Sequence, residues 1–152
     1  MKNLMTTWAR NTDFLVALIQ HQVRFLIVGG VAVKFYADER EADDLDLLVE
    51  STKENVKRLA LVLNEFPMVG NVFSLDKVMS EVPQHLPLKT DVYIDILTLG
   101  KETDFSLEWN NAVDGLIWQH PVKFASKELL ISMKIKGDRE KDRADVVLLS
   151  KP

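Results

Sequence analysis

Residues 25–50 read FLIVGGVAVKFYADEREADDLDLLVE, and this stretch decides the fold. The apolar run at its start predicts a short buried strand that is stopped by Gly29 and Gly30. A short helix is expected to begin right after Gly30, and an acidic loop then leads to a second strand. Because side chains alternate along a strand, Asp44 and Asp46 point to the same face. Carboxylates at the mouth of an apolar strand are costly unless something compensates their charge.

Helical patterns flank these two strands on either side. A helix with Asn11 or Thr12 as its N-cap precedes the first strand. A helix opened by the capping box Ser51-x-x-Glu54 follows the second. The stretch 67–90 contains three prolines and predicts only a short strand and loops.

A later strand carries a third candidate carboxylate. Residues 91–99 read DVYIDILTL, which places Asp91 and Asp95 on one face. Asp95 lies between Ile94 and Ile96, inside the apolar part of the strand, where a carboxylate needs a partner. Asp95 is therefore the preferred third acid, with Asp91 as the alternative.

The C-terminal part of the chain predicts one more strand and two helices. The strand at 121–126 leads into a helix that is capped by Ser126 and ends near Gly137. The final helix is expected to turn three apolar side chains inward, namely Ala144, Val147 and Leu148. Helices and strands thus alternate through residues 1–152, which predicts a single α+β domain (an α/β sandwich) with a mixed sheet of about four or five strands.

Composition limits the classes of protein that need consideration. The chain has 152 residues, 47% of them apolar, and no cysteine, which excludes disulfides and thiolate metal sites. No apolar stretch reaches the roughly 18 residues of a membrane span, and the N-terminus lacks the apolar core of a signal peptide. A soluble, cytoplasmic protein is expected. Seven acids lie within residues 38–50, whereas residues 120–152 are basic.

The spacing of the acids and glycines predicts a metal site beside a phosphate site. If the strand of Asp95 lies beside that of Asp44 and Asp46, three carboxylates converge, and a divalent cation relieves their repulsion. Oxygen ligands without Cys or His favour Mg²⁺ or Mn²⁺ over zinc. Gly29 and Gly30 could let backbone amides approach a phosphate, or could form a plain tight turn. Neither GxGxxG nor a P-loop ending is present.

These residues carry a resemblance to a known family. A strand, a GG pair, a short helix, DxD on the next strand and an Asp on a later strand resemble the minimal nucleotidyltransferases of the DNA polymerase β superfamily. Residues 40–46, READDLD, are similar to the RxTxDhDh form of the AbiEii-type (abortive-infection) branch, with Ala42 where threonine is usual. The tail also resembles that branch, and the residues concerned are Lys134 or Lys136, Lys141, Asp142 and Asp145. The resemblance covers residues 12–149, with 67–90 unmatched.

The resemblance implies a nucleotidyltransferase fold and a role for each motif residue. Asp44, Asp46 and Asp95 would ligate Mg²⁺ or Mn²⁺, and Asp95 would also help to deprotonate the acceptor hydroxyl. Three residues would bind the phosphates of an NTP, namely Gly29, Gly30 and Lys134. The residue-level alternatives remain open, since Lys134 also fits an ordinary amphipathic position. Lys141, Asp142 and Asp145 also fit salt bridges that tie the last helix down.

The acceptor and the partners stay open at this stage. The first hypothesis is transfer of a nucleoside monophosphate to RNA, tRNA or protein, as part of a toxin–antitoxin system. The second is modification of a small molecule such as an antibiotic, and the third is a non-catalytic antitoxin or nucleotide-binding partner. A partner chain or a homo-oligomer could supply an acceptor surface.

Overall fold

The computed structural model describes residues 10–152 apart from Asp43. Residues 1–9, which hold most of the N-terminal stretch considered for a signal peptide, lie outside the described residues, as does Asp43 of the acidic loop. The helices and strands, in chain order, are α1 (Asn11–Gln20), β1 (Phe25–Val28), α2 (Gly29–Tyr36), β2 (Leu45–Val49), α3 (Lys53–Glu65), α4 (Pro67–Gly70), β3 (Gln84–Lys89), β4 (Tyr93–Thr98), α5 (Phe105–Asn111), β5 (Val113–Ile117), β6 (His120–Phe124), α6 (Lys127–Gly137) and α7 (Glu140–Leu149). Short 3-10 helices occupy Leu75–Met79 and Gly100–Glu102.

One mixed sheet organises the fold, with the strand order β3-β4-β2-β1-β6-β5. β1 and β2 are antiparallel, with Val28 opposite Asp46. β2 and β4 are parallel, with Asp46 opposite Asp95. The end of β1 and the two aspartates therefore meet at one end of the sheet, which we call the cleft end.

The α+β class is confirmed, but the sheet has six strands rather than four or five. The bounds of β3 could not be predicted because the strand contains Pro87. Proline is tolerated there because β3 is an edge strand. β5 (Val113–Ile117) was not predicted from the sequence. The β5–β6 hairpin turns at Trp118 and Gln119, both with positive φ (45° and 69°). Neither is one of the glycines or asparagines that usually mark such a turn.

The core is built on the two central strands and the helices packed against them. Every residue of β1 is buried, and in β2 all but Asp46 are buried. Phe14 of α1 packs edge-to-face on Phe66, with ring centroids 5.0 Å apart. In the described part of the chain, no helix is long and apolar enough to cross a membrane.

Two helix caps differ from the sequence-based prediction. The N-cap of α3 is Thr52 rather than Ser51, and the Thr52 hydroxyl accepts a hydrogen bond from the Asn55 amide at 3.2 Å. Asn11 is the first residue of α1 rather than its cap. Its side chain instead exchanges two hydrogen bonds with the backbone of Tyr93, which ties α1 to the start of β4.

Asn55 also organises the opposite end of the sheet, which we call the far end. Its amide donates to the carbonyls of Arg24 and Glu50, both at 3.0 Å, and its oxygen accepts from the Arg24 amide at 2.7 Å. The Arg24 guanidinium pairs with the buried Glu50 carboxylate at 2.8 Å. Each polar group in this set therefore has a partner.

Candidate active site

Gly29 lies in direct contact with the first acidic strand. Its φ is +69°, a conformation that side chains with a Cβ rarely adopt. A Cβ at this position would lie only 1.9 Å from Asp46 Oδ2. Helix α2 begins at Gly29 itself, rather than after Gly30 as predicted. The glycine is thus required both by the turn and by the closeness of the Asp46 carboxylate.

At the cleft end, burial and the neighbouring acids raise the pKa of Asp46. Asp46 and Asp95 lie opposite each other on β2 and β4, and Asp44 immediately precedes β2. Burial, a hydrogen bond to Asp95 and the negative charges of Asp95 and Asp44 together raise the pKa of Asp46 to about 7, while Lys134 lowers it slightly. The cluster consequently holds more negative charge than its surroundings neutralise.

A cleft of about 560 Å³ opens over these acids. Its lining includes the carboxylates of Asp44, Asp46 and Asp95, which we call the acidic wall. It also includes four cationic side chains, which we call the basic wall, namely Arg40, Lys134, Arg139 and Lys141. Gly30 lines the cleft as well. Five of the six residues singled out for catalysis and nucleotide binding therefore line one cleft, and the sixth, Gly29, lies against the Asp46 carboxylate.

Lys134 and the last helix form a buried charge network at the basic wall. Lys134 Nζ lies 3.0 Å from Asp145 and 3.5 Å from Asp142, and both carboxylates are only 1% exposed. Arg139 pairs with Asp142 at 2.7 Å and lowers its pKa to about 2. These acids do tie α7 to the domain. Lys141 is exposed and lines the cleft instead.

The charge network explains why the inward face of α7 was predicted wrongly. Ala144 is exposed, Val147 is 63% exposed, and Leu148 is only partly buried. The residues buried on α7 are Asp142, Asp145 and Leu149. The apolar periodicity misled because ion pairs, rather than apolar side chains, anchor the first turns of this helix.

Asp91, the alternative third acid, does not share the cleft. It precedes β4 rather than lying on it, so the predicted shared face with Asp95 is wrong. Its carboxylate accepts hydrogen bonds from Arg10 at 3.1 Å and from Thr90 at 3.0 Å. Asp95 is left as the candidate third acid.

The donor set fits a hard divalent cation. Asp44, Asp46 and Asp95 offer only carboxylate oxygens, and the raised pKa of Asp46 shows that their charge is poorly compensated. Within the described residues, no group of three or more His, Cys, Asp or Glu side chains is placed so that it could hold a metal ion as it stands. The chemistry of these oxygens fits Mg²⁺ or Mn²⁺, whose ligands would be these three side chains.

Two cleft residues had no assigned role in the sequence. His85 of β3 brings Nε2 to 3.5 Å from Asp95 Oδ1, yet its side chain is 63% exposed. Arg40 reaches across to Asp145 of α7, 105 residues along the chain. The strand register Pro87–Asp95 predicts the position of His85 once β3 is recognised. No local signal gives the partner of Arg40.

Trp109 and Trp118, the two tryptophans among the described residues, are not among the residues that line the cleft. Trp109 lines a separate cavity of about 490 Å³ at the far end, beside Arg24 and Lys123. The Arg24 guanidinium lies 4.7 Å from the centre of the indole ring. Trp118 lies in the β5–β6 turn, and neither residue is among those lining the cleft.

Comparison with solved structures identifies the fold. The lincosamide antibiotic adenylyltransferase LnuA, bound to lincomycin, superposes with a TM-score of 0.58 at 12% identity over 99% of both chains. ANT(2'')-Ia in complex with adenylyl-2''-tobramycin gives a TM-score of 0.56 at 18% identity, over 95% of this chain and 88% of that one. An antigenic nucleotidyltransferase-like protein from Paracoccidioides brasiliensis gives 0.54 at 15% identity, over 97% and 75%.

No protein-family model and no curated protein sequence matches the chain. The three structural neighbours share its architecture over most of their length, although few residues are identical. The chain therefore has the nucleotidyltransferase fold.

Proposed function

We propose that the protein transfers a nucleoside monophosphate from an NTP to an acceptor hydroxyl. The acceptor oxygen forms a bond to the α-phosphorus, the bond from that phosphorus to the bridging oxygen breaks, and pyrophosphate leaves. One observation carries the proposal: the Asp44, Asp46 and Asp95 carboxylates and the basic wall line a single cleft in a chain with this fold.

The acidic wall would serve the reacting atoms. Asp44, Asp46 and Asp95 would hold Mg²⁺ or Mn²⁺. Such ions, when bound, neutralise charge on the phosphates and help to align the attacking and leaving oxygens. Asp95, on β4, would also accept the proton of the acceptor hydroxyl.

The start of α2 and the basic wall would serve the phosphates. Gly29 and Gly30 begin α2, so the amides of its first turn offer donors for the β- and γ-phosphates. Lys134 would supply positive charge to the same groups, and its position 10% exposed at the cleft wall supports this role. Catalysis would then consist of positioning and charge stabilisation.

The acceptor that the observations favour is a small cationic molecule carrying a hydroxyl group. Two structural neighbours are antibiotic-modifying enzymes, one of them holding adenylylated tobramycin. In this chain the loop before Asp44 exposes Asp38, Glu39 and Glu41, which would attract a cation. An antibiotic-type acceptor meets both observations.

A second candidate is transfer to RNA, tRNA or protein within a toxin–antitoxin system. It is favoured by the sequence resemblance of residues 40–46 and of the tail to the AbiEii-type branch. The ion pairs of Lys134 with Asp142 and Asp145 support the same resemblance. A partner chain or second copy would complete the acceptor surface in that case.

Radiolabelled transfer tests the proposal and separates the acceptors. Purified protein is incubated with Mg²⁺ and each of four NTPs labelled at the α-phosphate, with RNA, protein and aminoglycoside or lincosamide pools supplied separately. Asp46→Asn should abolish labelling, whereas Asp114→Asn, on the exposed β5 edge, should not. If the protein binds NTP but no pool becomes labelled, the transferase proposal is wrong and the protein is a non-catalytic nucleotide-binding protein.

A further inference from the structure

An ion pair with Asp145, far away in the sequence, holds Arg40 in the cleft. It follows the acidic residues Asp38 and Glu39, which are exposed, yet its own side chain is only 23% exposed. Its guanidinium donates to both oxygens of Asp145, from Nε at 2.7 Å and from a terminal nitrogen at 3.3 Å. This two-point contact fixes both the position and the plane of the guanidinium.

The same guanidinium lies against the glycine turn. A Cβ at Gly30 would be 3.2 Å from each terminal nitrogen of Arg40. Arg40 therefore covers the first turn of α2, where the phosphates would bind. The absence of a side chain at Gly30 leaves the space that the guanidinium uses.

Asp145 holds a second cation next to Arg40. Lys134 Nζ lies 3.0 Å from Asp145 Oδ2, so one carboxylate bridges an arginine and a lysine from different elements. The bridging carboxylate is 1% exposed, and both cations border the cleft.

Arg40 and Lys134 form a pair of neighbouring cations in the cleft. Together with Arg139 they pair with Asp142 and Asp145, and all three cations line the cleft that Gly30 also lines. Arginine and lysine side by side next to the first turn of a helix suit phosphate oxygens.

We propose that Arg40 is a further phosphate-binding residue, and that Asp145 is the positioning residue that sets Arg40 and Lys134 side by side toward the nucleotide's phosphates. The inference rests on the proposed function and adds two residues to it. Asp145 stays behind the cations and does not touch the nucleotide.

The far end of the sheet supplies a matched control. Arg24 pairs with the buried Glu50 at 2.8 Å, a distance close to the 2.7 Å between Arg40 and Asp145. Arg24→Gln and Glu50→Gln break a comparable ion pair remote from the cleft. They report what loss of such a pair does to folding alone.

Calorimetry with an uncleavable nucleotide tests the inference. The probes are the four NTPs with a methylene group between the α- and β-phosphorus atoms, in Mg²⁺, and circular dichroism confirms folding of each variant. Arg40→Gln should raise Kd at least tenfold, and Asp145→Asn should also raise it. Arg24→Gln and Glu50→Gln should leave Kd within twofold.

The sign of the Asp145→Asn effect separates positioning from simple charge neutralisation. Removing a carboxylate that only offset positive charge would tighten phosphate binding, so a lower Kd would overturn the positioning role. If Asp145→Asn does not fold, Arg40→Gln still decides, because Asp145 keeps Lys134 as its partner there.

Failure of the inference is distinct from failure of the proposed function. Wild-type binding with an unchanged Kd in Arg40→Gln would overturn the inference and leave the transferase proposal standing. No binding of any probe by the wild-type protein would overturn both.

Discussion

Both ends of the central sheet hold buried carboxylates, but the charge of Glu50 at the far end is neutralised by Arg24, whereas that of Asp46 at the cleft end is not. At the far end, Arg24 and Glu50 neutralise each other and Asn55 satisfies the surrounding backbone. At the cleft end, Asp46 lies against Asp95, and its pKa is raised to about 7. The far end is arranged for stability by itself. At the cleft end the ionised Asp46 carboxylate is instead left unfavourable, which is what the proposed binding of a metal ion would relieve.

The largest effect is expected for Asp46→Asn. Transfer should fall on the order of 10³-fold, because a carboxylate central to charge stabilisation is lost. In EDTA at pH 8 the variant should be more stable than wild type, by up to about 4 kcal/mol, because a folded-state pKa near 7 means that ionised Asp46 opposes folding above that pH. At pH 4 the difference should disappear.

Urea unfolding at the two pH values, beside the transfer assay, checks this prediction. Asp114→Asn serves as the control. Equal stability of Asp46→Asn and wild type at pH 8 would show that the charge of Asp46 is neutralised as well as that of Glu50 at the far end.

Gly29→Ala should be the most destabilising single change at the cleft end, by about 3 kcal/mol or more. The new methyl group would occupy a positive-φ position and would clash with the Asp46 carboxylate. Gly30→Ala is the neighbouring control, since Gly30 has no positive φ and a Cβ there would meet the Arg40 guanidinium at 3.2 Å and the Ala42 methyl at 3.4 Å. Thermal or urea unfolding should rank Gly29→Ala far below Gly30→Ala, and similar stabilities would refute the close contact.

Asn55→Ala tests the far end. It should cost about 3 kcal/mol, because it leaves the amide and carbonyl of Arg24 and the carbonyl of Glu50 without their partner. Nucleotide affinity, measured on the folded fraction, should not change. A large change in affinity would mean that the two ends are coupled.

Asp142→Asn should lower stability by about 2 kcal/mol at pH 7. The pKa of Asp142 is lowered from 3.8 to about 2 by Arg139, so the ionised carboxylate stabilises the fold above pH 4. That contribution should decline as the pH falls from 4 toward 2. Unfolding curves of wild type and variant at pH 7, 4 and 2.5 should therefore converge, and a constant gap would contradict the ion pair as its source.

The smallest effect is expected for Thr52→Ala, which removes the N-cap of α3 and should cost about 1 kcal/mol. Ser51→Ala is the matched control and should be nearly neutral, since the Asn55 amide donates to Thr52 and not to Ser51. The opposite ranking in urea unfolding would restore Ser51 as the cap.

The sequence by itself determined the parts of this protein that depend on neighbours in the chain. The short strand before Gly29, the α+β class and the Ser126 cap all follow from local periodicity and capping chemistry. The predicted strand alternation of Asp44 with Asp46 does not apply, because Asp44 precedes β2. The three acids and the glycine pair were identifiable as a set because their residue types suit one chemistry, although their roles remain proposals.

Only the tertiary structure decided which distant groups meet. The bridge from Arg40 to Asp145, the approach of His85 to Asp95 and the buried face of α7 depend on how elements far apart in the chain pack together. An ion pair leaves no periodicity in the sequence, because its energy depends on distance and burial in space rather than on spacing along the chain. The pairing of Arg40 with Lys134 through Asp145 became visible for that reason only in the folded protein.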